Sequence, residues 1–140
     1  MKIIEQEEVR KLLQPKDCIQ LMAEALKGLE SGEYAQPARL ITVMPNTAKF
    51  GFMPAYVGDY FGAKVISAFA PNMGTKYPSH IGYVMLFESA HSTVAGMIEA
   101  GSITEIRTGA VSAAATDLLA RKDSHKLALI GAGAQARSHL

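Results

Sequence analysis

Apolar residues recur at helical spacing in the first quarter of the 140-residue sequence. One stripe consists of Ile19, Met22, Ala23, Leu26 and Leu29. This period predicts an amphipathic helix, with Pro15 in its first turn and Gly32 at its end. A shorter helix is predicted from Glu7 to Leu13, where Gln14-Pro15 stops it.

Between Gly32 and Ser102 the pattern changes to short runs that are rich in β-branched and aromatic residues. Turn-forming residues separate five such runs, which span 39–44, 50–56, 63–69, 82–87 and 93–99. No pattern long enough for a helix lies between them. The runs therefore predict a mainly antiparallel, meandering sheet.

A third pattern, rich in alanine, begins at Ser102. Ser102 and Glu105 have the spacing of a capping box, in which each side chain satisfies a backbone donor at a helix start. Alanine is the commonest residue from Ile103 to Arg121. Because alanine has a high helix propensity, a well-buried helix is predicted over this range.

The polar loop 122–125 leads to an apolar run, 127–130, that is typical of a strand buried on both faces of a parallel sheet. It enters Gly131-Ala132-Gly133-Ala134-Gln135-Ala136, the pattern of a dinucleotide-binding turn with alanine in third place. There Gly131 permits the bend, Gly133 leaves space for a pyrophosphate, and Ala136 allows close helix packing, while helix N–H groups face the phosphates. An ordinary tight strand-to-helix turn is the alternative interpretation.

Together these patterns predict an α/β protein. The helical and strand patterns before the loop at 122–125 predict an α+β arrangement with a mainly antiparallel sheet. Residues 122–140 are expected to begin a Rossmann-type parallel sheet. The acidic residue that usually meets the ribose should lie roughly 20 residues beyond the glycine turn, after Leu140. We therefore expect the sequence to be the N-terminal portion of a longer enzyme.

Composition excludes other classes of protein. Apolar residues make up 49% and charged residues 19%, with a formal net charge of +1. Neither disorder nor binding to nucleic acid or to an anionic membrane is therefore indicated, and no apolar run approaches a membrane span. The single cysteine, Cys18, allows no intrachain disulfide and fits a reducing, cytoplasmic setting. The four histidines lack ligand spacing, so no metal site is expected.

Several motifs together produce a specific resemblance. The segments 103–110 and 129–140, joined by the alanine-rich helix, resemble the signature of the ornithine cyclodeaminase/mu-crystallin family. Four earlier pieces occur in the family's order: Pro37-Ala38-Arg39, Met53-Pro54-Ala55, Gly62-Ala63-Lys64-Val65 and Pro71-Asn72. The resemblance covers essentially the whole chain, and the joint occurrence of Arg-Thr-Gly-Ala with the glycine turn makes it specific.

The resemblance implies that residues 1–121 form the N-terminal portion of a substrate-binding and dimerisation domain, and that residues 122–140 begin a Rossmann domain. It also implies a homodimer that uses NAD, with NADP not excluded. The implied substrate is a small amino acid or cyclic imine. The first expectation is an ornithine cyclodeaminase, which converts L-ornithine to L-proline and ammonia through hydride transfer and imine cyclisation. The alternatives are an NAD(P)H-dependent ketimine reductase or amino-acid dehydrogenase of the same family, and a non-catalytic mu-crystallin-like protein that binds a small molecule.

The site residues are implied by the same resemblance. Arg39, Lys64 and Arg107 are expected to grip the substrate carboxylate, for which arginine offers paired donors and lysine a point charge. The cofactor is expected to contact a second set of residues: Thr108, Gly131, Gly133, Ala134 and Gln135. The catalytic acid/base is expected beyond Leu140. From composition alone, each cation has a plainer interpretation as a solvated residue on a helix or strand.

Overall fold

The computed structural model describes residues Met1–Leu140. In chain order its elements are β1 (Lys2–Ile4), α1 (Gln6–Leu12), α2 (Pro15–Ser31), β2 (Leu40–Val43), β3 (Lys49–Val57), β4 (Tyr60–Ala68), a 3-10 turn (Ala70–Asn72), β5 (His80–Glu88), β6 (Val94–Glu99), α3 (Ala100–Leu119) and α4 (Ala134–Ser138). The mixed α/β class predicted from the sequence is confirmed. None of the helices combines the length and apolarity needed to cross a membrane.

Helix α2 ends at the glycine that the sequence indicated. Gly32 adopts a left-handed conformation with φ of 80°, and its N–H bonds back to the carbonyl of Leu29. Such a backbone conformation strains any residue with a Cβ, so glycine is the natural end of the helix. Cys18 lies on the inner side of α2 and is buried, as expected for a core residue.

The six strands form one sheet in the order β1-β6-β5-β4-β3-β2. Strands β2 to β6 follow one another as an antiparallel meander, which confirms the five predicted strands. The sequence pattern missed β1, which pairs in parallel with β6 through Ile3 opposite Met97. A three-residue strand is too short to show a period, and it makes the sheet mixed rather than wholly antiparallel.

Helix α3 covers one face of the sheet, and α2 packs against α3. The layers therefore run sheet, α3, α2. On the opposite face the strand register aligns apolar side chains that remain exposed: Phe50, Phe52, Tyr56, Ile81 and Val94. We call this surface the open sheet face.

The start of α3 differs from the predicted capping box. The carboxylate of Glu99 accepts hydrogen bonds from the backbone N–H groups of Gly101 and Ser102, at 2.5 and 2.8 Å. Ser102 lies inside the helix, where its hydroxyl is buried without a partner. Glu105 instead accepts a hydrogen bond from Nη2 of Arg10 in α1, at 2.6 Å. The capping-box prediction is wrong because the last residue of β6 already occupies the capping position.

Two substitutions distinguish these caps. Replacing Glu99 with alanine should lower the free energy of unfolding by about 1 kcal/mol, the usual cost of losing an N-cap acceptor. Replacing Ser102 with alanine should leave that free energy unchanged or raise it, because a buried hydroxyl without a partner is unfavourable. Urea denaturation followed by circular dichroism measures both. A loss confined to the Ser102 variant would support the capping box instead.

The C-terminal part of the chain is less buried than predicted. Helix α3 is buried at positions from its start to its fourth turn, including Ser102, Gly109 and Ala114, but Leu118 near its end is 77% exposed. The apolar run 127–130 belongs to no strand or helix, and Ile130 is fully exposed. A strand buried on both faces needs neighbours in its own sheet, and no described segment supplies one. The expected burial of this run is therefore not found.

Candidate functional site

A cavity of about 810 Å³ opens between α3 and the sheet face that α3 covers. Its walls come from the loop 36–39, the second half of β3, the first half of β4, two residues of β5 and the first turns of α3. The sheet side is largely apolar and includes Met53, Val84 and Leu86. A half-open cavity with apolar walls and a few polar groups is typical of a small-molecule site.

Strand register places two of the predicted cations on one face of the sheet, on either side of Met53. Lys64 of β4 lies opposite Met53 of β3. One residue before β2, Arg39 continues the β2–β3 register to the other side of Met53. Residues directly opposite in an antiparallel pair point to the same face of the sheet. Arg39 and Lys64 therefore both project towards α3, and both line the cavity.

Helix α3 contributes the third cation. Thr104 and Arg107 are three residues apart, which places them on one side of the helix, and both line the cavity. The ammonium of Lys64 donates a hydrogen bond to the Thr104 hydroxyl at 3.3 Å. Lys64 is half-buried and bonded to α3, so it is not the solvated strand residue of the plainer interpretation. The structure thus brings Arg39, Lys64 and Arg107 to one cavity.

The cavity has a strongly positive interior. Burial lowers the pKa of Lys64 most, and the charges of Arg107 and Arg39 lower it further. No aspartate or glutamate lines the cavity. An anion placed among the three cations would favour the charged form of Lys64 and offset its desolvation. The cavity therefore suits a small carboxylate.

The glycine turn lies apart from this cavity. Gly131 has φ of 108°, a conformation that residues with a Cβ rarely adopt. A Cβ added to Gly133 would meet no atom within 4 Å, so the backbone there is open to a close-approaching group. Helix α4 begins directly after it, at Ala134. These features fit a pyrophosphate, although none of the predicted cofactor residues lines the cavity.

Helix α3 connects the two regions through different sides. The carbonyl of Ser138 in α4 packs against Gly109, where a Cβ would collide with it. Gly109 follows Arg107 by two residues, which is more than half a turn of helix. The nearby Thr108 hydroxyl donates to the carbonyl of Thr104 at 2.6 Å, within the helix. Its predicted role at a cofactor phosphate stays a prediction.

Sequence reasoning missed a second tie between α3 and α4. Nε2 of His139 lies 2.9 Å from the Ser112 hydroxyl, and Nδ1 lies 2.6 Å from the carbonyl of Gln135. Because a carbonyl only accepts, Nδ1 donates its proton to Gln135. In the neutral imidazole Nε2 then accepts a hydrogen bond from the serine. His139 is therefore a half-buried residue that connects α4 to α3. Such a contact depends on how α4 packs against α3, so neighbouring residues in the sequence give no sign of it.

Comparison with known proteins identifies a family that matches this chain. The sequence model of the ornithine cyclodeaminase/mu-crystallin family matches residues 1–140. Ketimine reductase mu-crystallin from Mus musculus is 36% identical over 121 residues, which cover 84% of this chain and 38% of that protein.

Two solved structures share the fold closely. The Thermococcus litoralis Δ1-pyrroline-2-carboxylate reductase, in complex with NADH and L-proline, is 32% identical with a TM-score of 0.92, and the match covers 99% of this chain and 44% of that chain. An archaeal alanine dehydrogenase dimer with bound NAD is 26% identical with a TM-score of 0.93, covering 98% of this chain and 42% of that chain. The present chain thus spans less than half the length of the proteins it matches.

Proposed function

The chain belongs to the ornithine cyclodeaminase/mu-crystallin family, and from that premise we propose that it forms the carboxylate-binding part of a nicotinamide-dependent enzyme. The enzyme acts on the α-carbon of a small amino or imino acid. The cofactor is NAD or NADP, held in part by the turn at Gly131 and Gly133. When bound, it would supply or accept the hydride.

The convergence of Arg39, Lys64 and Arg107 on one cavity carries this proposal. An arginine guanidinium can bond both oxygens of a carboxylate, and a lysine ammonium adds a point charge. Two arginines and a lysine, approaching from the sheet and from α3, fix the carboxylate from more than one direction. The α-carbon is then held at a defined place, as hydride transfer requires.

The remaining walls favour a substrate whose side chain is uncharged. Met53, Val84 and Leu86 form an apolar lining, and no acidic residue of this chain lines the cavity. A cyclic imine carboxylate or a small apolar amino acid matches these walls. Reduction of a ketimine, or the related amino-acid dehydrogenation, is therefore our first candidate. The mouse relative and the Thermococcus litoralis structure are themselves named as reductases of this kind.

Ornithine cyclodeamination is the second candidate, and the name of the matching family supports it. The three cations would hold the ornithine carboxylate equally well. The terminal ammonium of ornithine, however, would need an acidic partner from outside the described residues. The choice between the two candidates thus depends on whether the substrate side chain is charged, as in ornithine, or uncharged, as in a cyclic imine.

Initial rates with the full-length protein test this choice. With NADH or NADPH, Δ1-pyrroline-2-carboxylate should be reduced to proline, and L-ornithine with NAD should give little proline or ammonia. Efficient formation of proline and ammonia from ornithine would favour the second candidate. Binding of these compounds without turnover would favour a non-catalytic binding protein.

We also propose that a second copy of the protein covers the open sheet face. The face exposes a contiguous set of aromatic and aliphatic side chains, which is unusual for a surface in permanent contact with water. A related solved structure is described as a dimer. Light scattering on the full-length protein should give twice the monomer mass, and a monomeric mass would contradict the proposal.

A further inference from the structure

We infer that Thr104 is a positioning residue, whose hydroxyl holds the Lys64 ammonium inside the cavity in readiness for the substrate carboxylate. This inference rests on the proposed function for its biological meaning. Its physical basis is the contact between β4 and α3 described above. No part of the sequence pattern pointed to Thr104, because the contact joins residues 40 positions apart.

The hydroxyl of Thr104 has a fixed polarity. Its single proton is donated to the carbonyl of Ala100 at 2.6 Å, one helical turn earlier. Only lone pairs are then left to face the Lys64 ammonium, whose Nζ lies 3.3 Å from Oγ1. The branched Cβ of threonine further restricts rotation of the side chain. The helix thus presents an acceptor that cannot easily turn into a competing donor.

Lys64 needs such an acceptor because every charged group that faces it is positive. Arg107 approaches from α3, and Arg39 from the chain before β2. Tyr60 of β4 is the remaining titratable residue of the cavity lining, which includes no aspartate or glutamate. A lysine on a flexible four-carbon stem would otherwise turn towards water. The hydrogen bond to the threonine oxygen keeps the Lys64 ammonium inside the cavity.

Replacing Thr104 with valine removes the acceptor while keeping the branched shape. In the full-length enzyme, this change should raise the KM for Δ1-pyrroline-2-carboxylate about tenfold, which corresponds to about 1.4 kcal/mol, with kcat changed less than KM. Thr104→Ser keeps the hydroxyl and should remain close to the wild type. Thr116→Val makes the same change at an exposed position of α3, and should leave KM unchanged.

A pH titration separates positioning from a general packing defect. A hydrogen bond to the charged form of Lys64 stabilises that form, so its loss should lower the pKa of Lys64 further. Carboxylate binding in Thr104→Val should then fail at a lower pH than in the wild type. Valine at 104 with an unchanged KM and an unchanged alkaline limit would overturn the inference.

Nuclear magnetic resonance of ε-carbon-labelled lysine reads the same titration without turnover, with acetate as the binding probe. A lower Lys64 titration point in Thr104→Val, but not in Thr104→Ser, would support the positioning role even if no substrate were reduced. In that case the proposed function would be wrong, but the positioning role of Thr104 would stand. An identical Lys64 titration in all variants would refute the role of Thr104, whatever the activity.

Discussion

Replacing Arg107 with alanine should raise the KM for the substrate about 100-fold, because a charge-assisted contact to a carboxylate contributes roughly 1.5–3 kcal/mol. Arg107 lies one turn beyond Thr104 on α3 and lines the cavity with the other two cations. It makes no salt bridge of its own within the chain. Its loss should therefore affect binding far more than folding.

Two controls sharpen this experiment. Arg107→Lys keeps the charge but not the paired donors, so its KM should fall between those of the wild type and the alanine variant. Arg121→Ala removes an exposed arginine beyond the end of α3, and should leave KM unchanged. A normal KM in Arg107→Ala, measured from initial rates in the full-length protein, would remove Arg107 from the site.

The same variant should also shift the pH dependence of binding. In the wild type the charge of Arg107 lowers the pKa of Lys64. Without that charge the pKa of Lys64 rises, so Lys64 keeps its proton to higher pH. The alkaline limit of carboxylate binding should therefore move upward, opposite in sign to the shift expected for Thr104→Val.

Replacing Gly133 with valine should weaken dinucleotide binding about 100-fold or more, because the added side chain would occupy the space that the pyrophosphate requires. The protein itself gives this substitution room, since a Cβ there meets nothing within 4 Å. Its φ of −82° suits any residue. The thermal stability of the variant should therefore stay near that of the wild type, while affinity collapses.

Calorimetric titration of the full-length protein with NADH measures the loss. Ala132→Val places similar bulk at a variable position of the glycine pattern, and should retain most of the affinity. Gly131→Ala differs from both, because φ of 108° at that residue strains any side chain, and should lose stability as well. An unaltered affinity for NADH in Gly133→Val would contradict this prediction and support the alternative interpretation, in which the turn only connects two elements.

Much of the fold could be predicted because its signals are local. The stripe from Ile19 to Leu29 and the left-handed Gly32 are properties of neighbouring residues, and α2 follows them. Features that arise from tertiary packing between distant segments were missed. Strand β1 exists only because β6 lies beside it, and the cap of α3 comes from Glu99 at the end of a strand.

The candidate site divides in the same way. Arg39, Lys64 and Arg107 were identified through motifs, and the strand register explains why the first two share a face. Thr104 was missed because its role depends on the distance between β4 and α3. The unpaired run 127–130 shows the converse case, in which a strong local pattern lacks the neighbours that would make it a strand.

The bare backbone at Gly109 has a geometric consequence for the protein as a whole. There the carbonyl of Ser138 lies directly on the helix, with no side chain as a spacer. Any larger residue at position 109 would push α4 and the glycine turn before it away from α3, and so away from the cavity that α3 lines. A single methyl group at residue 109 would then increase the distance between the glycine turn and the cavity, although it contacts neither of them.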